Sequence, residues 1–443
     1  MREGKESWSL GQSKLSLFFF YLLILFLPTQ LGKHFFLQSS FIAGLRIDYL
    51  SYTLYLTDIL IILIFLSSFK NVFKTVLTKY KNKFFRFFLF ALFLTIGISV
   101  SKNPQVGIYG LVKLFEFSYL GIFIYLNYRE INKKILVALI SFGIVFQTLL
   151  SALQYLNNGS LQGIFYFLGE RSFNSQTPSI ANVSVNAKLI LRPYATFPHP
   201  NVLAGFIALS SMLLVYFKNR INKHLLLIVL TISTTGIIIS FSRVGLLVWT
   251  GFIFSYFLTT LLKKYKKIKL NTRFIKNNSL PIIVGSGFLL SLFFLFLTNP
   301  LFIQRLSSFS FSDESVVQRL NTISASINMF MQNPVFGVGI NNFLNNLNTS
   351  FNSPALLQPV HNVFLLVLSQ TGIVGLLAFG YLFFKAIRVA LGFGKEKIIR
   401  ILIVLAIIFI GMFDHYLLTI QQTQILFTML IAIALIRQKN LLE

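Results

Sequence analysis

Arginine, histidine and aspartate carry the chemistry open to this chain, and they fall in a few short strings. Arg192 heads RPYATFPHPN, which also holds His199 and ends in Asn201. Arg243 sits in Ser242-Arg243-Val244-Gly245, Arg319 in a polar stretch ahead of Pro334, and His361-Asn362 opens a long apolar run. Asp414-His415 closes another such run, while Arg171 and Arg305 stand in connecting segments. Guanidinium forks bind phosphate oxygens in pairs, and an imidazole beside a polar cavity is a natural general base. The set suits a phosphorylated substrate attacked by a group that must lose a proton. Each residue also has a plainer reading. Arg192 and Arg243 would snorkel to lipid headgroups, Arg319 would lie on a solvated helix face, His361 would bond a backbone carbonyl, and Asp414-His415 would mark a span boundary.

Other chemistries have no foothold. There are no cysteines, which removes disulfides, thiolate metal sites and a cysteine nucleophile. No Gly-rich phosphate loop, Asp-x-Asp pair or regular His ligand spacing occurs, so neither nucleotide hydrolysis, a metal nor a cofactor is expected. The formal charge of +27 invites a nucleic-acid partner. The basic residues sit instead at the ends of apolar runs, where they set membrane orientation, so nucleic acid is not expected.

The elements that must position these residues are transmembrane helices. Only 12% of the chain is charged, about half the share of a soluble domain. Apolar runs recur from end to end, each long enough for a hydrocarbon core about 30 Å thick. The sequence predicts an all-α polytopic membrane protein with about twelve spans: 15–32, 50–69, 84–101, 107–127, 135–156, 201–217, 223–241, 243–262, 280–299, 360–384, 400–415 and 420–436. The runs are continuous rather than alternating, which argues against a β-barrel. Basic residues precede the first run, but the small-residue cleavage site of a signal peptide is missing, so a retained first span is expected.

About three quarters of the 39 Lys and Arg residues fall in alternate connections, the pattern of a chain with both termini in the cytoplasm. The chemical strings then lie on the extracytoplasmic side of the membrane. Two long outer loops, about 157–200 and 300–359, carry most of them. Within the second, Asp313 is placed to cap an amphipathic helix over 315–332, with Val316, Leu320, Ile323, Ile327 and Met331 on one face. Asn201 is expected to cap the sixth span. Inside the membrane, Lys113 and Glu116 share a helix face, while Asp58 has no evident partner. The chain divides into an N-terminal bundle (1–156), a region with the outer loops (157–424) and a terminal segment (425–443).

At these strings the chain resembles the O-antigen ligase and O-antigen polymerase family of bacterial envelope glycosyltransferases. The resemblance rests on LRPYATFPHPN at 191–201, SRVGLL at 242–247 and QRLNTISASINMFMQNPVFGVGINNF at 318–343. HNVFLLVLSQTGIVGLL at 361–377, FDHYLLTIQQTQ at 413–424 and Gly169-Glu170-Arg171 complete it. The first 150 residues are similar only in having several spans. The resemblance implies a GT-C-like enzyme that takes a glycan from undecaprenyl pyrophosphate and transfers it, without metal and with inversion, to an acceptor hydroxyl. That acceptor would be a glycolipid, a polysaccharide or another hydroxyl compound. It further implies that Arg192 and Arg243 hold the pyrophosphate, that Arg319 assists, and that His361 orients or deprotonates the hydroxyl. Arg171, His199, Asn201, Arg305, Asn362, Asp414 and His415 are the expected substrate-binding residues. A repeat-unit polymerase differs mainly in the acceptor. A lipid-linked oligosaccharide flippase or exporter is the reading from another class, for which Lys113, Glu116 and Asp58 would be the buried candidates.

Overall fold

The computed structural model of the chain describes residues 10–185, 188–268, 314–347, 357–392 and 396–436. It is a polytopic helical protein. In chain order come α1 (Leu10–Phe26), four short strands β1 (Gly32–Phe35), β2 (Phe41–Ile42), β3 (Leu45–Arg46) and β4 (Tyr52–Tyr55), then α2 (Leu56–Lys79), α3 (Lys81–Ser99), α4 (Pro104–Asn127) and α5 (Lys133–Asn157). A loop with α6 (Ile164–Phe167) and the hairpin β5 (Asn182–Val185) and β6 (Lys188–Leu191) leads to α7 (Pro200–Tyr216), α8 (Lys223–Ile239) and α9 (Arg243–Ile268). The remainder holds α10 (Glu314–Gln332), α11 (Val363–Leu391), α12 (Lys397–Phe413), α13 (Tyr416–Thr419) and α14 (Gln421–Ala434).

Among the described residues five helices, α2 to α5 and α11, are long and apolar enough to cross a membrane, and there are shorter apolar helices besides. The expected span 280–299 lies outside the described residues, as do Asp313 and Arg305. Helix starts follow local polar chemistry. Asn103, Asn132, Asn222 and Asn362 each accept from backbone N–H groups in the first turn, quenching donors that a helix leaves open.

Two expected boundaries are corrected. The second span begins at Leu56 rather than residue 50, because 52–55 pairs antiparallel with 32–35. Asp58 fixes the changeover by accepting from the Tyr55 backbone N–H at 2.9 Å. The sixth span is capped by His199, not Asn201: His199 Nδ1 accepts from the Asn201 N–H at 3.1 Å, with Pro200 pre-set for the first helical position.

α7 is the pillar of the bundle. Every residue in it except Asn201 is buried, and it packs against α5, α8, α9, α12 and α14. Ala204, Gly205 and Ala208 permit that crowding. At Gly205 a Cβ would fall 2.0 Å from the Tyr416 hydroxyl, so only glycine fits. The apolar core around α7 runs from Phe20 to Ile436.

The amphipathic helix α10 is present, but its apolar stripe faces outward. Leu320, Ile327 and Met331 are exposed, while Thr322, Ser326 and Met329 are buried. Its far end is locked to α11 by a kink. Gly372 takes φ 62°, and a Cβ there would meet the Val335 carbonyl oxygen at 2.1 Å. The carbonyls freed by the kink accept from outside the helix: Ser369 from Val338 N–H at 2.9 Å and Gln370 from Gly339 N–H at 3.0 Å. Ile373 N–H in turn donates to Pro334 at 2.9 Å.

Candidate active site

The segment before α7 is irregular because Pro193, Pro198 and Pro200 forbid regular helix. It turns at Ala195 (φ 50°), where the Phe197 N–H donates to the Tyr194 carbonyl at 2.9 Å, and its backbone is tied down by α5. Gln154 Oε1 accepts from the Tyr194 and Ala195 N–H groups at 3.0 and 2.7 Å. This anchorage delivers Arg192 into the protein, where it is 5% exposed. Its Nε donates to the Ser240 carbonyl at 3.0 Å and its Nη2 to Asn201 Oδ1 at 2.8 Å.

Ser240 belongs to the reversal between α8 and α9. Phe241 adopts φ 53°, which turns the chain sharply, and Ser242 Oγ accepts from the Gly245 N–H at 3.2 Å to start α9. Arg243 is the first residue of that helix and is half-buried. Arg192 is thus bonded to the very turn that presents Arg243, and the two guanidinium-bearing segments become one unit.

A second group gathers beside Asn201. Its Nδ2 donates to Asp414 Oδ2 at 3.3 Å, so Asn201 bridges Arg192 and Asp414. Asp414 also accepts from the His415 N–H through Oδ1 at 2.8 Å. The His415 ring meets the His361 ring edge to face at 5.0 Å, and its Nδ1 lies 2.7 Å from Thr419 Oγ1. Asn362 caps α11 and donates through Nδ2 to the Met412 carbonyl at 3.2 Å, which holds the start of α11 against the end of α12. His361 Nδ1 is buried with no hydrogen-bond partner among the described residues.

Electrostatics set the protonation states. Burial, then Arg192, push the His199 imidazole down to about 3. The accepted bond at Nδ1 agrees, since that nitrogen must keep its lone pair. Burial lowers His415 to about 3 against the raising effect of Asp414, and burial likewise lowers His361, with Arg319 adding to it. At Asp414 burial favours the neutral acid, but His361, His415, His199 and Arg319 together outweigh it and hold the carboxyl below its ordinary value. At neutral pH one ionised carboxylate therefore stands among neutral imidazoles.

His361, Asp414 and His415 can each offer a ligand atom, all within 4.8 Å of one another, so this cluster could hold a divalent cation. No sequence spacing announced it, because the three come from two distant segments. Asp414 and His415 already have hydrogen-bond partners, which suits them to holding protons in place. Arg319 lies half-buried on α10, within electrostatic reach of His361 and Asp414. Arg171 is exposed and lines a cavity of about 1370 Å³ that the other arginines of the site do not line, and Arg305 lies outside the described residues.

The order of these parts along the chain meets an outside comparison. Residues 201–380 match the family described as O-antigen ligase. That stretch is similar to the O-antigen ligase family. The matched stretch includes Arg243, Arg319, His361 and Asn362, while Arg192, His199, Asp414 and His415 lie just beyond its ends. No curated protein matches the chain. The match supports O-antigen ligase-like glycan transfer in general.

Sequence reasoning missed Tyr49, whose ring meets His415 at 5.5 Å, and Thr419. Thr419 was within reach of a pattern argument, four residues from His415 on a helical turn. Tyr49 was not, since it arrives on a polar loop with no apolar period.

Proposed function

We propose that this protein transfers a glycan from undecaprenyl pyrophosphate to an acceptor hydroxyl, without metal and with inversion, on the extracytoplasmic face of the bacterial inner membrane. The observation that carries the proposal is the joining, through Asn201, of an arginine unit to a carboxylate and imidazole cluster. Arg192 and Arg243 hold the pyrophosphate. Two bonded N–H groups fix the plane of the Arg192 fork, so charge developing on the leaving group meets donors already in place. Arg319 adds positive potential from α10. His361 takes the proton as the acceptor oxygen bonds to the anomeric carbon, and the bond from that carbon to the pyrophosphate oxygen breaks. Undecaprenyl pyrophosphate leaves with its electron pair, stabilised by the guanidinium groups. Asp414 and His415 hold the His361 ring in position.

A polymerase that joins repeat units uses the same residues with a growing glycan as acceptor. The flippase reading draws on one observation, the buried Asp58–Lys113–Glu116 group. Lys113 lines a cavity, but its charge is met by the two carboxylates of its own group, and no half-to-half similarity accompanies it in the sequence, which favours the enzyme.

The deciding experiment supplies purified protein with undecaprenyl-pyrophosphate glycan, an acceptor and a chelator. Transfer with release of undecaprenyl pyrophosphate is expected. Loss of transfer under chelation sinks the metal-free mechanism, and donor translocation without transfer sinks the enzyme. Sidedness is read from single cysteines, since the chain has none of its own. Gln176→Cys is expected to react from outside the cell and Glu130→Cys only after the membrane is opened; both are exposed, in the connections after and before α5 respectively.

A further inference from the structure

Asp414 is a buried carboxylate with no cation in contact. It is 7% exposed, and among the described residues its oxygens accept only from the Asn201 amide at 3.3 Å and the His415 N–H at 2.8 Å. No Lys or Arg among the described residues forms an ion pair with it. A charge buried in a protein is otherwise paired or bound to a metal. Each carboxylate oxygen that accepts one hydrogen bond keeps a further lone pair, so Asp414 has room for a cation.

Two imidazoles stand beside it. His361 Nδ1 is buried and has no partner among the described residues. Thr419 Oγ1 spends its one proton on the His415 carbonyl at 3.2 Å, so the His415 ring donates to it through Nδ1 at 2.7 Å. That bond fixes the tautomer and leaves His415 Nε2 with its lone pair. A histidine that binds a metal is held in this way, one ring nitrogen bonded to oxygen and the other open. One ligand atom from each of His361, Asp414 and His415 lies within 4.8 Å of the others. Donors on a tetrahedral ion, each about 2.0–2.1 Å from it, stand roughly 3.3 Å apart, so closure takes shifts of about 1.5 Å at most.

We infer that His361, Asp414 and His415 form a site for a divalent ion of the zinc type, and that the ion inhibits transfer. Two imidazoles and one carboxylate suit Zn²⁺, Co²⁺ or Ni²⁺, whereas Mg²⁺ and Ca²⁺ take shells of oxygen. The inhibition follows from lone pairs. A neutral imidazole has one, and its other nitrogen carries the hydrogen. Once the metal holds that lone pair, His361 has nothing left to take a proton from the acceptor hydroxyl. Arg319 lies within electrostatic reach of the cluster and opposes a cation, so the ion is held loosely enough for a chelator to remove it. The metal is therefore a brake on the site and not its cofactor. The inhibitory role rests on the transferase proposal; the metal site does not.

The test uses tag-free, full-length protein in nanodiscs, stripped with a chelator and titrated with Co²⁺. The visible absorption of four-coordinate cobalt is expected, lost on adding Zn²⁺ and untouched by the same concentration of Mg²⁺. His361→Ala should remove the bands. Thr419→Val, which releases the His415 ring, should weaken cobalt binding about 10- to 100-fold. If neither variant folds, the comparison of Zn²⁺ with Mg²⁺ on the unaltered protein still decides. Saturating Zn²⁺ should lower transfer by about 10²-fold or more, the contribution of a general base, and chelator should restore it. Absence of the cobalt bands, bands unchanged in His361→Ala, or transfer stimulated by Zn²⁺ overturns the inference. Cobalt bands in a protein that transfers nothing would overturn the transferase reading and leave the metal site standing. Transfer indifferent to Zn²⁺, with no cobalt bands, would do the reverse.

Discussion

The His361 and His415 rings meet edge to face at 5.0 Å, although they begin and end different helices of the bundle. Asp414 lies alongside, bonded to the His415 backbone and to Asn201. This contact orders the proposed catalytic end: a carboxylate and one imidazole stand beside a second imidazole whose Nδ1 has no partner among the described residues.

His361→Ala should reduce transfer about 10²- to 10⁴-fold while donor binding survives. The pH profile carries an independent signature. A general base acts in its neutral form, and burial holds His361 below its ordinary value of 6.5. The acid limb of kcat/KM should therefore have its midpoint below 6.5, with a flat rate from there to pH 8. A midpoint at or above 6.5 would remove His361 as the base.

Arg192→Lys should lower kcat about 10²- to 10³-fold, because one ammonium cannot donate to Ser240 and Asn201 while also facing a diphosphate. The measurement is steady-state transfer at saturating donor. A rise in KM alone, with kcat unchanged, would assign Arg192 to ground-state binding only.

Lys113→Met leaves Asp58 and Glu116 buried together without their cation, which should destabilise the fold by about 3–5 kcal/mol. Adding Asp58→Asn should restore part of the loss. Denaturation midpoints in detergent check both, and equal stability of the single variant and the unaltered protein would mean the ion pairs contribute nothing.

Gly372→Ala should cost about 3 kcal/mol or more, since φ 62° is unfavourable for alanine and its Cβ would strike the Val335 carbonyl. Because the same kink docks the end of α10, transfer should fall in whatever protein still folds. Recovery on size-exclusion chromatography and transfer per folded molecule separate the two effects.

The sequence by itself determined the class of solvent and which titratable groups a chemistry could draw on. Long apolar runs with few charges admit helices across a bilayer, and that much needs only the cost of unpaired backbone groups in hydrocarbon. Arg192, Arg243, His361 and the Asp414-His415 pair were legible because charged and titratable residues are rare here, so each one stands out against its apolar neighbours. Local patterns also placed the amphipathic helix 314–332 within a residue or so.

Only the tertiary structure decided which of these groups meet. Arg192 joins the turn before Arg243 through a backbone carbonyl, and Asn201 links Arg192 to Asp414 instead of capping a helix. Asp58, without a partner in the sequence, finds Lys113 across the α2–α4 contact. The outward facing of Leu320, Ile327 and Met331 was likewise visible only in the packed structure. The physical reason is common to all. Hydropathy and helical period report how each segment meets its solvent, whereas side-chain pairing between distant segments depends on rotation and offset of packed helices, which no single segment encodes.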